Sequence, residues 1–118
     1  MGIAYVELQI AGPADESESI RMLVDSGAQY SVVPQPVWKR LGIEPTRSMT
    51  FHLADGSAIE RKIGEALFCY EGIRAHSPVV LGRRGDQALM GAVTLENLGL
   101  VLNPFNRTLQ AMKMLMIR

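Results

Sequence analysis

The stretch Leu23-Val24-Asp25-Ser26-Gly27-Ala28 decides how this chain is read. It closes an apolar run, Ile20-Arg21-Met22-Leu23-Val24, and ends in three small residues. A carboxylate placed directly after an apolar strand is expected to be partly buried, which costs free energy unless the charge is shared, paired or neutralised. Gly27 permits a close backbone approach that a side chain would block. Ser26 carries a hydroxyl able to tie the turn down by hydrogen bonding. The hexapeptide therefore describes a rigid turn that presents one acid. Asp-Ser-Gly is also a common turn tripeptide, so the case depends on what surrounds it.

Upstream, Val6, Leu8 and Ile10 alternate with Glu7 and Gln9, a strand pattern, and a polar turn runs from Gly12 to Ser17. Downstream of Val33 the spacing of Val37, Trp38 and Leu41 predicts a short helix. Pro36 suits its first turn, where a missing N–H has no helical partner, and Gly42 reads as its left-handed terminator, with Ile43 packing back. Met49, Phe51 and Leu53 then alternate with Thr50 and His52, and Ile59 and Ile63 with Glu60 and Lys62. Between them Ala54-Asp55-Gly56-Ser57 makes a tight turn, so the segment is a β-hairpin with a glycine-containing tip. Tyr70-Glu71-Gly72 is a further turn, Pro78 to Leu81 a buried strand, Gly82 to Asp86 a charged loop, and Leu89-Met90 a short strand ending at Gly91. Thr94 to Leu98 predicts a second short helix closed by Gly99, and Leu100-Val101-Leu102 and Thr108-Leu109-Gln110 flank an Asn-Pro turn. The sum is an all-β chain with one or two short helices.

A length of 118 residues fits one domain, 1–118. Apolar residues make up 47% and charged residues 20%, ordinary for a globular protein. Twelve basic and 12 acidic residues cancel, so no electrostatic support exists for nucleic acid as a partner. No apolar run approaches the roughly 20 residues that span a bilayer, and the N-terminus lacks a signal-peptide pattern; no membrane partner is expected. A lone Cys69 needs no oxidising compartment, which makes the cytoplasm the expected setting. Asn106-Arg107-Thr108 matches a glycosylation sequon but reads as a turn.

His52 and His76 stand far apart without other ligand types nearby and read as solvated or core residues; no metal is implied. Cys69 reads as a small buried residue. Met112, Met114 and Met116 repeat at strand period within the apolar run Met112 to Ile117 and are expected in the core or in a subunit interface. Arg83-Arg84 reads as a solvated loop.

The hexapeptide resembles the apolar-apolar-Asp-Ser/Thr-Gly-Ala signature of aspartic proteases. Length and the single copy make the chain similar to retropepsins, not to the two-lobed pepsins. The resemblance extends through Ser31-Val32-Val33-Pro34, the helix ending Leu41-Gly42-Ile43, the hairpin at Asp55-Gly56 where the family has its flap, and Leu89-Met90-Gly91-Ala92 followed by Leu95-Glu96-Asn97-Leu98-Gly99-Leu100. Viral members often carry an Arg after the second-element glycine and an acid shortly after the signature; Ala92 and Gln29 stand there here, which resembles the cellular and bacterial branch. What the resemblance implies is a closed barrel-like fold, one lobe per chain, assembled as a symmetric homodimer. It implies an aspartic endopeptidase acting on peptide or protein substrates, without metal or organic cofactor. Asp25 would be half of a catalytic carboxylate pair, with Ser26, Gly27 and Ala28 supporting the active-site turn. Ala54, Asp55, Gly56 and Ser57 would cover the substrate. The rival expectation is the same fold without useful activity, a dimeric peptide- or protein-binding module, since fold does not fix function.

Overall fold

Alternation at the N-terminus is realised as an antiparallel pair. Strand β1 (Ala4–Ala11) faces β2 (Ser17–Val24), and the register sets Ala4 opposite Val24, Val6 opposite Met22 and Leu8 opposite Ile20. These pairs share one face, which turns inward, while Glu7, Gln9, Ser19 and Arg21 are exposed. In this computed structural model residues 3–14, 16–113 and 116 are described. Asp15 in the first turn, and Met114, Leu115 and Ile117 of the C-terminal apolar run, lie outside them.

Among the described residues the chain forms nine strands and two short helices: β3 (Ser31–Val33), α1 (Gln35–Arg40), β4 (Arg47–His52), β5 (Ala58–Tyr70), β6 (Ile73–Leu81), β7 (Leu89–Met90), α2 (Ala92–Leu98), β8 (Leu100–Asn103) and β9 (Thr108–Ala111). The neighbour order β1-β2-β7-β3-β6-β5 is closed by pairing of β1 with β5, Ile10 opposite Phe68. The strands thus run in a ring, and β4 extends from it as the outer arm of a hairpin on β5. β8 and β9 form a separate two-stranded sheet. The expected mostly-β architecture is what the chain adopts.

Inside the ring lie Ile10, Met22, Val33, Phe68, Val79 and Met90, all fully buried. A side chain such as Phe68, removed wholly from water, contributes roughly 1.5–3 kcal/mol. Among the described residues the core methionines are Met22 and Met90. Met112 is half-buried, its N–H donating to the Gly99 carbonyl at 2.7 Å, whereas Met116 is 91% exposed.

Helix α1 ends as its sequence predicts. The Gly42 N–H donates to Lys39 O and the Ile43 N–H to Trp38 O, with Gly42 at φ +70°, a Schellman closure. Trp38 Nε1 donates to Gly82 O at 2.8 Å and pins the helix to the loop after β6. Asn106 accepts from the Thr108 amide and hydroxyl, so the sequon residues do form a turn.

One connection matters most for the site. Strands β2 and β3, which flank the Asp25 turn, do not pair with each other. β7 threads between them, parallel to β2 with Val24 opposite Met90, and antiparallel to β3 with Leu89 opposite Val32. Residues 25–30 therefore arch over the end of β7.

Candidate active site

Asp25 is the first residue beyond β2. Its N–H donates to Met90 O at 2.9 Å, continuing the β2–β7 ladder by one rung. The Ala28 N–H returns to Asp25 O at 3.1 Å, and the Gly27 N–H donates to the carboxylate, Oδ1, at 3.0 Å. A Cβ on Gly27 would stand 3.2 Å from that same oxygen, so glycine leaves the carboxylate room.

The expectation that Asp25 is partly buried is not met in the single chain. Asp25, Ser26 and Gly27 are all exposed, and Ala28 is half-buried. The physical reason is the arch. Val24 is the last inward-facing residue of β2, and beyond it the chain leaves the ring and carries the carboxylate to the rim. In the single chain the Ser26 hydroxyl has no hydrogen-bond partner among the described residues.

The turn is held from below instead. The Ala92 and Val93 N–H groups, at the start of α2, donate to Ala28 O at 2.8 Å and Gln29 O at 3.0 Å. Residues 28–29 and 92–93 are thus joined through backbone. Gly91 makes this approach possible: a Cβ there would lie 2.6 Å from the Tyr30 carbonyl carbon and oxygen and 3.0 Å from Ala28 O. Only glycine fits such a contact without moving backbone.

Beside the turn lies a cleft of about 540 Å³. Val32, Val80 and Leu89 supply apolar surface from the ring, and Phe51 and Ile59, cross-strand partners in the β4–β5 hairpin, supply it from the opposite side. The Tyr30 ring meets the Phe51 ring edge to face, centroids 6.0 Å apart at 89°. Such a pair contributes about 0.5–1.5 kcal/mol beyond its buried area, and here it ties the residue after the turn to the hairpin. Ala28 touches the cleft, so the carboxylate turn stands at its edge.

The hairpin tip is a compact turn in which Leu53 N–H donates to Ser57 O at 2.8 Å. Ala54, Asp55, Gly56 and Ser57 are exposed and do not line the cleft in the single chain, although neighbouring Leu53 does. Hydrogen bonds from the Ser57 hydroxyl and amide hold the Asp55 carboxyl below the usual carboxylate range. Gly56 sits at φ +90°.

Tyr30, Phe51 and Arg61 are cleft residues that the sequence reading did not single out. A signal existed for the last two. Met49, Phe51, Ile59 and Arg61 occupy one face of the hairpin through their cross-strand pairing, and Arg61 is the charge that interrupts it. Among the described residues no group of three or more His, Cys, Asp or Glu is placed to hold a metal, and no helix is long and apolar enough to cross a membrane.

A family model described as "gag-polyprotein putative aspartyl protease" matches residues 10–97. The chain belongs to that family. The match runs from the end of β1 into α2, so it takes in Asp25, the hairpin and Met90-Gly91, and leaves β8 and β9 outside. The solution structure of simian foamy virus (mac) protease superposes with a TM-score of 0.53 at 16% sequence identity, covering 77% of this chain and 92% of the viral one. That likeness establishes a shared retropepsin-like fold. A search of curated proteins returns no match.

Proposed function

We propose that the chain is an aspartic endopeptidase that works as a symmetric homodimer. The observation carrying this is the exposed Asp25 carboxylate, held on a braced turn at the edge of an apolar cleft. Peptide hydrolysis by water needs a base for the water proton and an acid for the carbonyl. Two adjacent carboxylates sharing one proton supply both, because like charges at that distance do not both ionise readily. Asp86 also lines the cleft, but its Oδ2 accepts the Arg83 N–H at 2.8 Å within its own loop. Asp15 and Asp55 lie in other turns of the sequence, and the only Asp-Ser-Gly is at Asp25. A two-fold axis beside the turn sets Asp25 against its own copy. It also accounts for the exposure of Asp25 and Ser26 in the single chain, which a second turn would cover. The lack of charge at both Gln29 and Ala92 is what supports placing the chain nearer the cellular and bacterial members. The direct test is incubation with a diverse peptide library at several pH values; absence of cleavage by the dimer at every pH would favour the binding-module reading.

Activity should be greatest in mildly acidic solution. The pair needs one shared proton, so the rate falls on the alkaline side as the second carboxylate ionises. Asp55 behaves in the complementary way. Its pKa is lowered, so its support for the hairpin turn persists above the usual carboxylate range and is lost only as pH falls through the lowered value. The tip therefore stays intact where the pair works. A pH–rate profile measured with and without chelator checks this, and activity that persists at alkaline pH yet vanishes with chelator would point to a metal mechanism instead.

The segment from Ser48 to Lys62 is proposed to close over bound substrate as a flap. Gly56 makes a specific test available. A Cβ there would meet nothing within 4 Å, so a substitution acts through the positive φ alone. Gly56→Val is expected to lower kcat/KM by roughly tenfold or more while costing the fold about 1–2 kcal/mol. Unchanged kinetics in the folded variant would make the hairpin mere scaffold.

A further inference from the structure

Ser31, Ser77 and Thr94 are buried hydroxyls on β3, β6 and α2, far apart in sequence. They are joined in space. Thr94 Oγ1 lies 2.5 Å from Ser31 Oγ and 2.8 Å from Ser77 Oγ. The two ends decide which atom donates along the series. At one end the Gly91 N–H donates to Ser31 Oγ at 2.9 Å. At the other the Ser77 hydroxyl donates to Pro78 O at 3.1 Å, and a carbonyl oxygen only accepts. Each hydroxyl has a single proton. Thr94 therefore donates to Ser77, and Ser31 donates to Thr94. The protons all run one way, from the Gly91 amide to the Pro78 carbonyl, and every hydroxyl both accepts and donates.

The first donor is the link to the site. Gly91 N–H and Met90 O are two edges of one peptide group, which is planar and stiff. Its carbonyl accepts the Asp25 N–H at 2.9 Å, while its N–H is the group held by Ser31. One rigid plane thus has the hydroxyl series on one edge and the Asp25 backbone on the other. Resting on the protease reading above, we propose that Thr94, at the centre of the series, is a positioning residue that sets the Asp25 carboxylate through the Met90–Gly91 peptide. Without its hydroxyl the Ser31 proton has no acceptor and the Ser77 oxygen no donor. Ser31 is then free to turn away from Gly91, and the peptide plane loses the contact that fixes its tilt.

The test uses the full chain with Thr94→Val, which keeps the shape and removes the hydroxyl, and Thr94→Ser, which restores it. Two readouts are taken: hydrogen exchange of individual amides, and kcat and KM on a cleaved peptide. In Thr94→Val the Asp25 amide should exchange at least roughly tenfold faster while β5 and β6 amides keep their protection. The kcat should fall about 10- to 100-fold with KM changed by less than about threefold, because misplacement of the reacting group acts on the chemical step. Thr94→Ser should return both values to the parent's. A folded Thr94→Val chain with unchanged Asp25 exchange overturns the proposal, as does a kcat loss that merely tracks the fraction unfolded. Should Thr94→Val fail to fold, Ser77→Ala removes the acceptor beyond Thr94 and is read by the same two measurements. If the parent cleaves nothing yet Asp25 exchange rises in Thr94→Val, the positioning link stands and the protease reading falls.

Discussion

Replacing Asp25 with asparagine is expected to lower peptide cleavage by at least about 10³-fold, the loss typical when a positioned acid–base group is removed. That corresponds to roughly 4 kcal/mol of transition-state stabilisation. The substitution is nearly isosteric, and the surroundings tolerate it. Asp25 is exposed, its Oδ1 accepts one N–H from Gly27, and an amide oxygen can still accept that bond, though more weakly. The backbone bond to Met90 O is untouched. Within a dimer the change also removes repulsion between two carboxylates, so assembly should be unchanged or stronger. The prediction is therefore a dissociation between two measurements, with sedimentation like the parent's and cleavage near background. An Asp25→Asn chain that cleaves at the parental rate would remove Asp25 from the chemistry and leave the turn with a purely structural role.

The parts of this molecule legible in its sequence are those set by local rules. Pro36 and Gly42 bracket α1 where the chain places it, and Gly99 ends α2 with φ +71°. Glu71 and Gly72 both take positive φ, which closes the β5–β6 hairpin at the turn expected there. Longer-range features were hidden. β5 runs for 13 residues, well past the hairpin, and its continuation was hidden because alternation breaks at Gly64 in mid-strand. A Cβ at Gly64 would stand 2.8 Å from Ile43 Cγ2, so this glycine records the chain after α1 crossing the strand, a contact no local pattern reveals. Closure of the ring through Ile10 and Phe68 likewise depends on register between distant segments. At the candidate site, the turn that carries Asp25 was legible from its six-residue context. Its exposure was not, because reading along β2 extends the interior one residue too far. The Ser31–Thr94–Ser77 series was also invisible, since three separate hydroxyls gain meaning only once β3, β6 and α2 are packed together.

Activity per chain should disappear on dilution, and this is the sharpest consequence of one Asp-Ser-Gly per chain. The proposed reaction needs two carboxylates, so a monomer has no complete site whatever its fold. Below the dimer dissociation constant the dimer concentration varies as the square of total chain, and activity per chain then falls in proportion to concentration. A hundredfold dilution in that regime should cost about a hundredfold in specific activity. In the proposed dimer, exposed apolar side chains are candidates for the contact. Ile3 is 63% exposed, Phe105 96% and Met116 91%. Covering a side chain such as Met116 contributes up to roughly 1.5–3 kcal/mol, and two-fold symmetry counts each such contact twice. Truncation after Lys113 discriminates this from damage to the fold, because it spares β9 and the hydrogen bond from Met112 to Gly99. The truncated chain should remain folded and need higher concentration to reach the parent's specific activity. Sedimentation and cleavage measured across the same dilution series provide the check. A species that sediments as a monomer and retains full activity per chain would defeat the shared pair of carboxylates outright.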